Sequence, residues 1–513
     1  MAAMTISLTG ASSASELAWE AIDWLHVTKK VDQLQMRIAK AVREKRHGKA
    51  RALQWILTHS FFAKLLAVKR VTQNSGAKTP GVDGVLWKTP EQKIQAVKSL
   101  QRRGYQPLPL RRIYIPKTQG RRPLSIPSLI DRSMQALHLL SLEPVAEMMA
   151  DKNAYGFRPK RSTADAIEQC FKTLALKVSA PWILEGDIQA CFDNLSAKWL
   201  LGHIPMDKAL LAKWLAAGYV EEKILHPTLE GISQGGPISP TILVIALSGL
   251  EKAIKSAVSR KDKVNVISYA DDFIITGASK EILEDKVMPI VANFLKERGL
   301  ELSPQKTKIT HVDDGFDFLG FNVRKYKGKL LIKPSKKNVK SFLGEIRRVI
   351  KSKPTAKTEN LIWQLNPKIR GWANYFCHVV AKDTFNYVDS CIFKTIMRWI
   401  KRRHPEKGAE WRNKKYFRSQ GLQYWIFSAA VRDEEGNTSF VDLLKAVNTP
   451  IRRHVKIRAE ATPYDPQFKE YFLKRKWLRV RKETKINQKG EEPLNFNSSR
   501  EVKRTTGSLK TGL

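Results

Sequence analysis

The chain has 513 residues, and its 90 Lys and Arg residues against 49 Asp and Glu residues give a formal net charge of +41 at pH 7. An excess of this size over a whole large chain indicates a polyanionic partner, with nucleic acid a better candidate than a membrane surface. A membrane protein and a secreted disulfide-rich protein are both disfavoured, because no apolar run approaches about 18 residues, no secretory signal pattern opens the chain, and the 4 cysteines include no C-x-x-C pair.

The first predicted region, residues 16–71, is helical and basic. Leu34, Ile38 and Val42 repeat at the spacing of one helix face. Two interpretations stay open for this region: a packed helical hairpin with solvated basic faces, or an appendage that contacts RNA. The turn-rich stretch "KTPGVDG" then breaks the pattern, so we predict an N-terminal helical extension over residues 1–80.

Strands and helices alternate over residues 81–330, which predicts a mixed α/β or α+β core. Two short strands, "RRIYIPK" and "RPLSIPS", are joined by a turn that Lys117 and Arg122 flank. Two cations at the tip of a hairpin suit the binding of a triphosphate. Further along, "APWILEGDIQACFDNL" predicts a buried strand that ends at Asp187 and continues into a turn and a helix. We expect Asp193 to cap that helix.

The pattern becomes helical again after the linker-like stretch "KSKPTAKT". Apolar residues on one face predict two helices over residues 359–404, where we expect Trp372 to pack in the core rather than contact RNA. This helical region is placed at residues 331–410. A strongly basic region with interleaved aromatics follows at residues 411–485, and the polar residues 486–513 are expected to be disordered.

Two adjacent acids, Asp271 and Asp272, interrupt the apolar stretch "VNVISYADDFIITG" and repel each other. The pair alone fits either a hairpin turn or a cation site. Mg²⁺ takes oxygen ligands, and two such ions about 3.5–4 Å apart can hold an attacking hydroxyl and a leaving pyrophosphate. Asp187 is the candidate third carboxylate, although a helix cap is the alternative when it is taken alone.

Other residues in this part of the chain suit nucleotide binding. Phe192 follows Asp187 closely, and an aromatic ring there can pack under the sugar of an incoming nucleotide and exclude a 2′-hydroxyl. The stretch "GISQGGPISP" presents Gln234 before two glycines, which allow a substrate or template strand to approach the backbone. The stretch "LSPQKTKI" supplies Lys306 and Lys308, and a lysine there can neutralise pyrophosphate.

A set of short segments occurs in an order that carries a family resemblance. The segments are "TPGVDG", "RRIYIPK", "RRPLSIP", "YGFRPKRST", "EGDIQACFDN", "GISQGGPISP", "YADD", "LSPQKTKI", "FDFLGF" and "IRGWANYF". A four-letter word such as "YADD" recurs by chance, but the whole ordered set is a specific signal. Over Glu16–Arg479 the chain resembles the reverse transcriptases encoded by group II introns, the intron maturases, and "RGWANYF" resembles their thumb motif.

The resemblance implies the fold of a right-hand polymerase with fingers, palm and thumb. This is an α+β fold with the N-terminal helical extension, fingers and palm at residues 81–330, and an α-helical maturase thumb at 331–410. A basic DNA-binding region would follow at 411–485. Many relatives continue into a nuclease domain with a Cys/His metal cluster, which we do not expect here because no cysteine follows Cys391.

The resemblance also implies roles for the candidate site residues. Asp187, Asp271 and Asp272 would be the palm carboxylates that bind two Mg²⁺ ions, with Asp272 the least directly engaged. The residues that bind the deoxynucleotide would be Lys117 and Arg122 at the triphosphate, Phe192 at the sugar, Gln234 beside the nucleotide, and Lys306 near the primer terminus and leaving group.

The implied function is that of an RNA-directed DNA polymerase that copies group II intron RNA into cDNA and, as a maturase, assists splicing and mobility (retrohoming) of the intron. Its partners would be the intron RNA, target DNA, an RNA template with a DNA primer, and dNTPs, in the bacterial cytoplasm and without a membrane. Monomer and dimer both stay open. Two alternatives are an RNA-binding splicing factor without polymerase activity, and the reverse transcriptase of a retron, a diversity-generating element or a CRISPR system.

Overall fold

The computed structural model describes residues 19–116, 120–228, 230–421, 423–432 and 436–477. The chain divides into two compact units, residues 1–460 and 461–513. The described residues of the second unit include a short 3₁₀ turn at Pro466–Phe468. Two predictions lie outside the described residues, namely the role of Lys117 and the disorder of residues 486–513.

Helices and strands are mixed along the first unit, as predicted for an α+β fold. The helices are α1 (Trp24–Arg43), α2 (His47–His59), α3 (Phe61–Thr72), α4 (Pro90–Ser99), α5 (Leu129–Met149), α6 (Thr163–Leu174), α7 (Ala197–His203), α8 (Lys208–Leu215), α9 (Ser239–Leu247), α10 (Leu250–Ala257), α11 (Met288–Lys296), α12 (Lys336–Lys351), α13 (Thr358–Phe376), α14 (Lys382–Arg403) and α15 (Ala409–Tyr416). The strands are β1 (Leu110–Pro116), β2 (Arg121–Ile126), β3 (Trp182–Asp187), β4 (Tyr219–Glu221), β5 (Ile224–His226), β6 (Val266–Tyr269), β7 (Asp272–Gly277), β8 (Lys308–His311), β9 (Phe316–Phe318), β10 (Phe321–Tyr326), β11 (Lys329–Pro334), β12 (Phe417–Gln420), β13 (Gln423–Arg432) and β14 (Thr438–Asp442). Within the described ranges, no helix combines the length and the apolar character that crossing a bilayer requires.

The N-terminal region is helical, as predicted, but it holds α1, α2 and α3 rather than a two-helix hairpin. Ser60 has an extended backbone, with φ −67° and ψ 130°, and therefore separates α2 from α3. The apolar side of these helices packs on α5, where Ile38 and Leu57 are fully buried. Gln35 donates a hydrogen bond of 2.7 Å to the carbonyl of Leu140, which fixes α1 on α5. The helices are thus a packed layer whose outer face is basic.

The central sheet has the strand order β6-β7-β3-β8, and all its neighbouring strands are antiparallel. Leu184 of β3 and Phe273 and Ile275 of β7 belong to a large apolar core that α9 and α11 help to form. β7 is a nearly continuous apolar run because both faces of this strand are buried, as its unbroken burial from Phe273 to Gly277 shows. The paired acids lie at the β6–β7 hairpin, at the point where this core ends.

A second sheet, with the order β2-β1-β4-β5, contains the predicted β1–β2 hairpin. Ile115 pairs with Arg122 across that hairpin, and Ile126 at the far end of β2 is buried. The sheet therefore carries Arg122 near the turn end of the hairpin, while the other end of the hairpin is held by the core.

The two predicted helices over residues 359–404 are confirmed as α13 and α14. The indole of Trp372 stacks on Phe342 with ring centroids 4.7 Å apart, and its Nε1 donates to Asn338 at 2.8 Å. Phe376, one turn further along α13, is fully buried. The prediction that Trp372 packs in the helical core is therefore confirmed.

Residues 417–442 form a three-stranded antiparallel sheet with the order β12-β13-β14, for which the sequence analysis predicted no strands. Its strands are held by a salt bridge of 2.5 Å between Arg418 and Asp442. Burial in β13 falls on three consecutive residues, 426–428, so this strand lacks the alternating pattern by which a half-buried strand is predicted from sequence.

Candidate active site

The ends of two neighbouring strands place the acids together. Asp187 is the last residue of β3 and Asp272 the first of β7, and the two stand directly opposite each other in the antiparallel register. Asp271 lies in the turn between β6 and β7. Gly186 leaves room for the ring of Phe273, since a Cβ at position 186 would lie 2.2 Å from that ring. Two of the three acids therefore lie at strand ends, and the third lies in the tight turn that joins β6 to β7.

The β6–β7 turn is supported from outside by the segment 153–156. Tyr155 donates its backbone N–H to the carbonyl of Ser268 at 2.9 Å, and Ser268 donates to Asn153 at 3.1 Å. Ala270, in the turn, has a positive φ of 58°. Gly156 packs beneath it so closely that a Cβ there would lie 2.1 Å from the Ala270 nitrogen. Tyr155 and Gly156 are the first two residues of the motif "YGFRPKRST", for which the sequence predicted no role.

The carboxylates influence one another electrostatically. Loss of hydration at the base of the hairpin, followed by the negative charges of Asp271 and Asp187, raises the pKa of Asp272 to about 6. A hydrogen bond between Asp272 and Asp187 adds to this shift, because only the protonated carboxyl can donate it. Asp271 and Asp187 are thus close enough for their charges to act on Asp272.

A lysine partly neutralises this acidic cluster. Lys306 Nζ lies 2.7 Å from Asp187 Oδ2, and its side chain is 66% exposed while that of Asp187 is 17% exposed. The hydrogen bond to Asp187 raises the pKa of Lys306. Lys308, which the sequence offered alongside it, pairs with Glu185 at 3.2 Å instead. Lys306 is therefore the lysine of the site.

Asp187, Asp271 and Asp272 supply the hard oxygen donors that suit a divalent cation. Among the described residues, no group of three or more His, Cys, Asp or Glu side chains is arranged so that it could hold a metal ion. Mutual repulsion opposes such an arrangement, and the Lys306 ammonium bound to Asp187 shows that this carboxylate accepts a cation. The chemistry of the donors fits a metal whose arrival would draw the three acids together.

A hydrogen-bonded chain from the second sheet reaches the turn that follows β3. Arg122 Nε donates to Gln234 Oε1 at 3.0 Å, and Gln234 Nε2 donates to Asp193 Oδ2 at 3.2 Å. The expectation that Asp193 caps the next helix was wrong, because Ser196 caps α7 by accepting from the backbone N–H of Trp199 at 3.4 Å. Asp193 instead holds Gln234 in place.

Phe192 lies between the acids and this chain. Its ring is buried and meets Phe157 edge-on, with centroids 6.2 Å apart. Its carbonyl accepts the N–H of Ile232 at 2.7 Å, which ties the turn after β3 to the stretch that contains Gln234. Burial, followed by the charges of Asp271, Asp187 and Asp193, raises the pKa of the neighbouring Cys191. All three acids are therefore close to the Cys191 thiol. Six of the seven other predicted site residues therefore accompany Asp187 here, while Lys117 lies outside the described residues.

We expect Asp272→Asn to raise the free energy of unfolding of the metal-free protein by about 1 kcal/mol at about pH 8, after allowance for solvent screening of a partly exposed group. The pKa of Asp272 rises from 3.8 to about 6 on folding, so ionisation costs the native state stability. This cost is absent below about pH 4, grows as the pH rises to about 6 and is complete above it. Chemical denaturation in EDTA at both ends of this range measures it.

Asp313→Asn is the matched control for that measurement, because Asp313 is an exposed acid just beyond the end of β8. It should change the stability by less than about 0.5 kcal/mol. A gain for Asp272→Asn that is as large at about pH 4 as at about pH 8 would contradict the proposed repulsion.

Acids at a β-hairpin, an opposing strand that ends in a third acid, and a basic hairpin from a neighbouring sheet together indicate a nucleic-acid polymerase of the right-hand class. Known families match along the same segments. Residues 115–323 match the family described as reverse transcriptase (RNA-dependent DNA polymerase), and residues 19–100 match the N-terminal domain of reverse transcriptase. Residues 339–417 match the group II intron, maturase-specific domain.

Individual relatives agree with these matches. Protein YkfC of Escherichia coli (strain K12) is 33% identical over 361 residues, which cover 59% of this chain and 89% of the relative. The group II intron-encoded protein LtrA of Lactococcus lactis subsp. cremoris is 26% identical over 440 residues, or 66% of this chain and 72% of LtrA. The chain belongs to the reverse transcriptase family that carries the group II intron maturase domain. It has a reverse transcriptase fold and is an RNA-directed DNA polymerase with maturase function.

Proposed function

We propose that polymerisation takes place at Asp187, Asp271 and Asp272, with two Mg²⁺ ions as cofactors. The observation that carries this proposal is the register pairing of Asp187 with Asp272 beside Asp271, which leaves three carboxylates repelling one another at a strand end. Divalent ions bound there would activate the primer 3′-hydroxyl and stabilise the leaving pyrophosphate. The reverse transcriptase family normally uses divalent metal ions, which agrees with this assignment.

The remaining site residues orient the nucleotide. Arg122 and Gln234 already share a hydrogen bond, so an arriving triphosphate would meet a guanidinium whose direction is fixed. Lys306 would leave Asp187 when a cation binds that carboxylate, and its ammonium would then be free for the leaving group. Phe192 would lie against the sugar. Lys117 keeps the triphosphate role implied by the sequence, since it lies outside the described residues.

We further infer that the nucleic-acid partners are a group II intron RNA, its target DNA, and an RNA template paired with a DNA primer. The net charge of +41 and the maturase-specific match support this inference. The domain division proposed from the sequence assigns fingers and palm to residues 81–330, the thumb to 331–410 and DNA contact to 411–485. In the last region Lys415 Nζ lies 4.6 Å from the centre of the Trp411 ring, a pairing that suits a phosphate backbone next to a base. A bacterial cytoplasmic location accords with the LtrA relative.

Primer extension on an RNA template tests this assignment. The wild type should extend the primer with Mg²⁺ and stop in EDTA. Arg122→Ala should raise the KM for dNTP about tenfold or more with a smaller change in kcat, because it removes binding of the triphosphate.

Arg121→Ala is the matched control, since Arg121 is the preceding residue of the same strand and its side chain points to the opposite face. Its KM should stay within about twofold of the wild type. Equal changes in the two variants would show that charge on the hairpin, rather than the position of Arg122, binds the nucleotide.

A further inference from the structure

Residues 449–460, here called the brace, form a connection within the first unit that is neither helix nor β-strand over 450–458. Exposed and partly buried residues alternate along residues 451–456, as in an extended strand with one face against the protein. The alternation shifts by one residue at Ile457, which is fully buried. The brace therefore follows the surface of the molecule in a fixed register and is not a loose linker.

One end of the brace is attached to the thumb helices. Lys382, the first residue of α14, donates to the carbonyl of Thr449 at 3.0 Å. The backbone N–H of Arg452 donates to the carbonyl of Cys377, in the connection between α13 and α14, at 2.7 Å. The brace thus starts on the side of the thumb where its two long helices meet.

The other end is attached to α6 through a buried carboxylate. Asp165 is fully buried, and its Oδ1 lies 2.8 Å from His454 Nε2 and accepts the N–H of Ile457 at 2.7 Å. Its Oδ2 accepts from the backbone N–H and the hydroxyl of Ser162, each at 2.9 Å, and so caps α6. Burial opposes ionisation, but the hydrogen bonds from His454 and Ile457 lower the pKa of Asp165 to about 2, so His454 is the donor.

The brace also contacts Tyr155, the residue that supports the β6–β7 hairpin. Lys456 Nζ donates to the hydroxyl of Tyr155 at 3.4 Å, and the backbone of Tyr155 is bonded to Ser268 in β6. Arg161, next to the start of α6, donates to the carbonyl of Ala459 at 3.0 Å. The same short segment therefore contacts the thumb, α6 and the residue that holds the turn of the paired acids.

We propose that the brace fixes the thumb against the palm, and that Asp165 and His454 are positioning residues that keep template and primer engaged between successive nucleotide additions. The hydrogen bonds of Asp165 to His454 and Ile457 hold the brace on α6, so the proposed role of the two residues is to position the thumb and not to take part in the chemical step. Release of the brace would let the thumb move relative to the catalytic hairpin, and the duplex would dissociate sooner.

His454→Ala is the decisive variant, because it removes the hydrogen bond from the brace to Asp165 and leaves Asp165 capping α6. Hydrogen exchange of the full-length protein should show the opening equilibrium of the peptide around Ile457 increased about tenfold, as expected for loss of a charge-assisted hydrogen bond. Dissociation of a fluorescent RNA–DNA template–primer should become faster, and products made in the presence of a heparin trap should become shorter. The single-turnover rate of the first addition should stay within about twofold of wild type.

Two matched controls separate this effect from general destabilisation. His203→Ala removes an exposed histidine that stacks on Trp199 of its own helix. Asp207→Asn alters an aspartate that caps α8 and also bonds Arg102 from another segment, much as Asp165 caps α6 and holds the brace. Neither control should change exchange near Ile457 or duplex dissociation, whereas Asp165→Asn should reproduce His454→Ala.

The proposal is overturned if the brace opens in His454→Ala while duplex dissociation and product length stay at wild-type values. It is equally overturned if exchange around Ile457 does not rise. The exchange and dissociation measurements need no catalysis, so failure of the proposed metal site would not be mistaken for failure of the brace.

Discussion

Asp271→Ala is expected to abolish RNA-templated primer extension, with kcat reduced at least about a thousandfold, which corresponds to about 4 kcal/mol of lost transition-state stabilisation. The physical reason is the small number of ligands available. Asp187 lies at the end of β3 and Asp271 in the turn before β7, and the two-residue turn contains no other acid. The same variant should bind divalent cation more weakly, measured by Mn²⁺ titration with electron paramagnetic resonance.

Two comparisons make that result interpretable. Asp313→Asn removes an exposed acid near the same sheet and should retain wild-type extension within about twofold. The Asp271 variant should still promote splicing of its intron RNA, because RNA supplies the chemistry of splicing and the protein supplies binding. Extension that survived in Asp271→Ala would refute the metal assignment, and simultaneous loss of splicing would point to misfolding.

Phe192→Val should reduce the preference for deoxynucleotides over ribonucleotides about 100-fold, expressed as the ratio of their kcat/KM values. A buried ring leaves no space for a 2′-hydroxyl against it, and valine would open a pocket of about that size. The rate with dNTP should fall far less than the rate with rNTP rises. Single-nucleotide incorporation with paired dNTP and rNTP measures both.

Phe157→Leu tests whether the ring of Phe192 itself makes the selection. Phe157 contacts Phe192 edge-on and is 45% exposed, so its loss removes a neighbour without opening the space beneath the sugar. We expect a change in selectivity below about fivefold. A loss as large as that of Phe192→Val would instead mean that selectivity depends on the packing of the whole turn.

The elements that sequence predicted correctly are those defined by local pattern. The apolar run before Asp187 predicted the end of β3, and a hairpin turn at the paired acids was one of the two interpretations that the sequence left open. The helix face that contains Trp372 could also be predicted, because the apolar residues on it repeat every three or four positions within one helix. In each case the pattern and the burial act over fewer than about ten residues.

Contacts between distant segments explain the errors. Asp193 looked like a helix cap because caps are local, but its partner Gln234 is 41 residues away and comes from another segment. The pairing of Asp165 with His454 spans 289 residues, and an acid at the start of a helix gives no sign of a second partner. The stretch offered both Lys306 and Lys308, the family resemblance selected Lys306, and the structure pairs Lys306 with Asp187 and Lys308 with Glu185.

The hydrogen bonds of Asp165 limit how many C-terminal residues can be removed from this polymerase. The maturase-specific match ends at residue 417, and a shortened enzyme cut there would look complete by homology. It would lack His454 and Ile457, and a fully buried carboxylate would lose the two hydrogen bonds that they donate. Loss of hydrogen bonds to a buried charged group would cost about 3 kcal/mol, a large part of the whole stability of many domains. A minimal enzyme should therefore extend at least to residue 460, where the first compact unit ends.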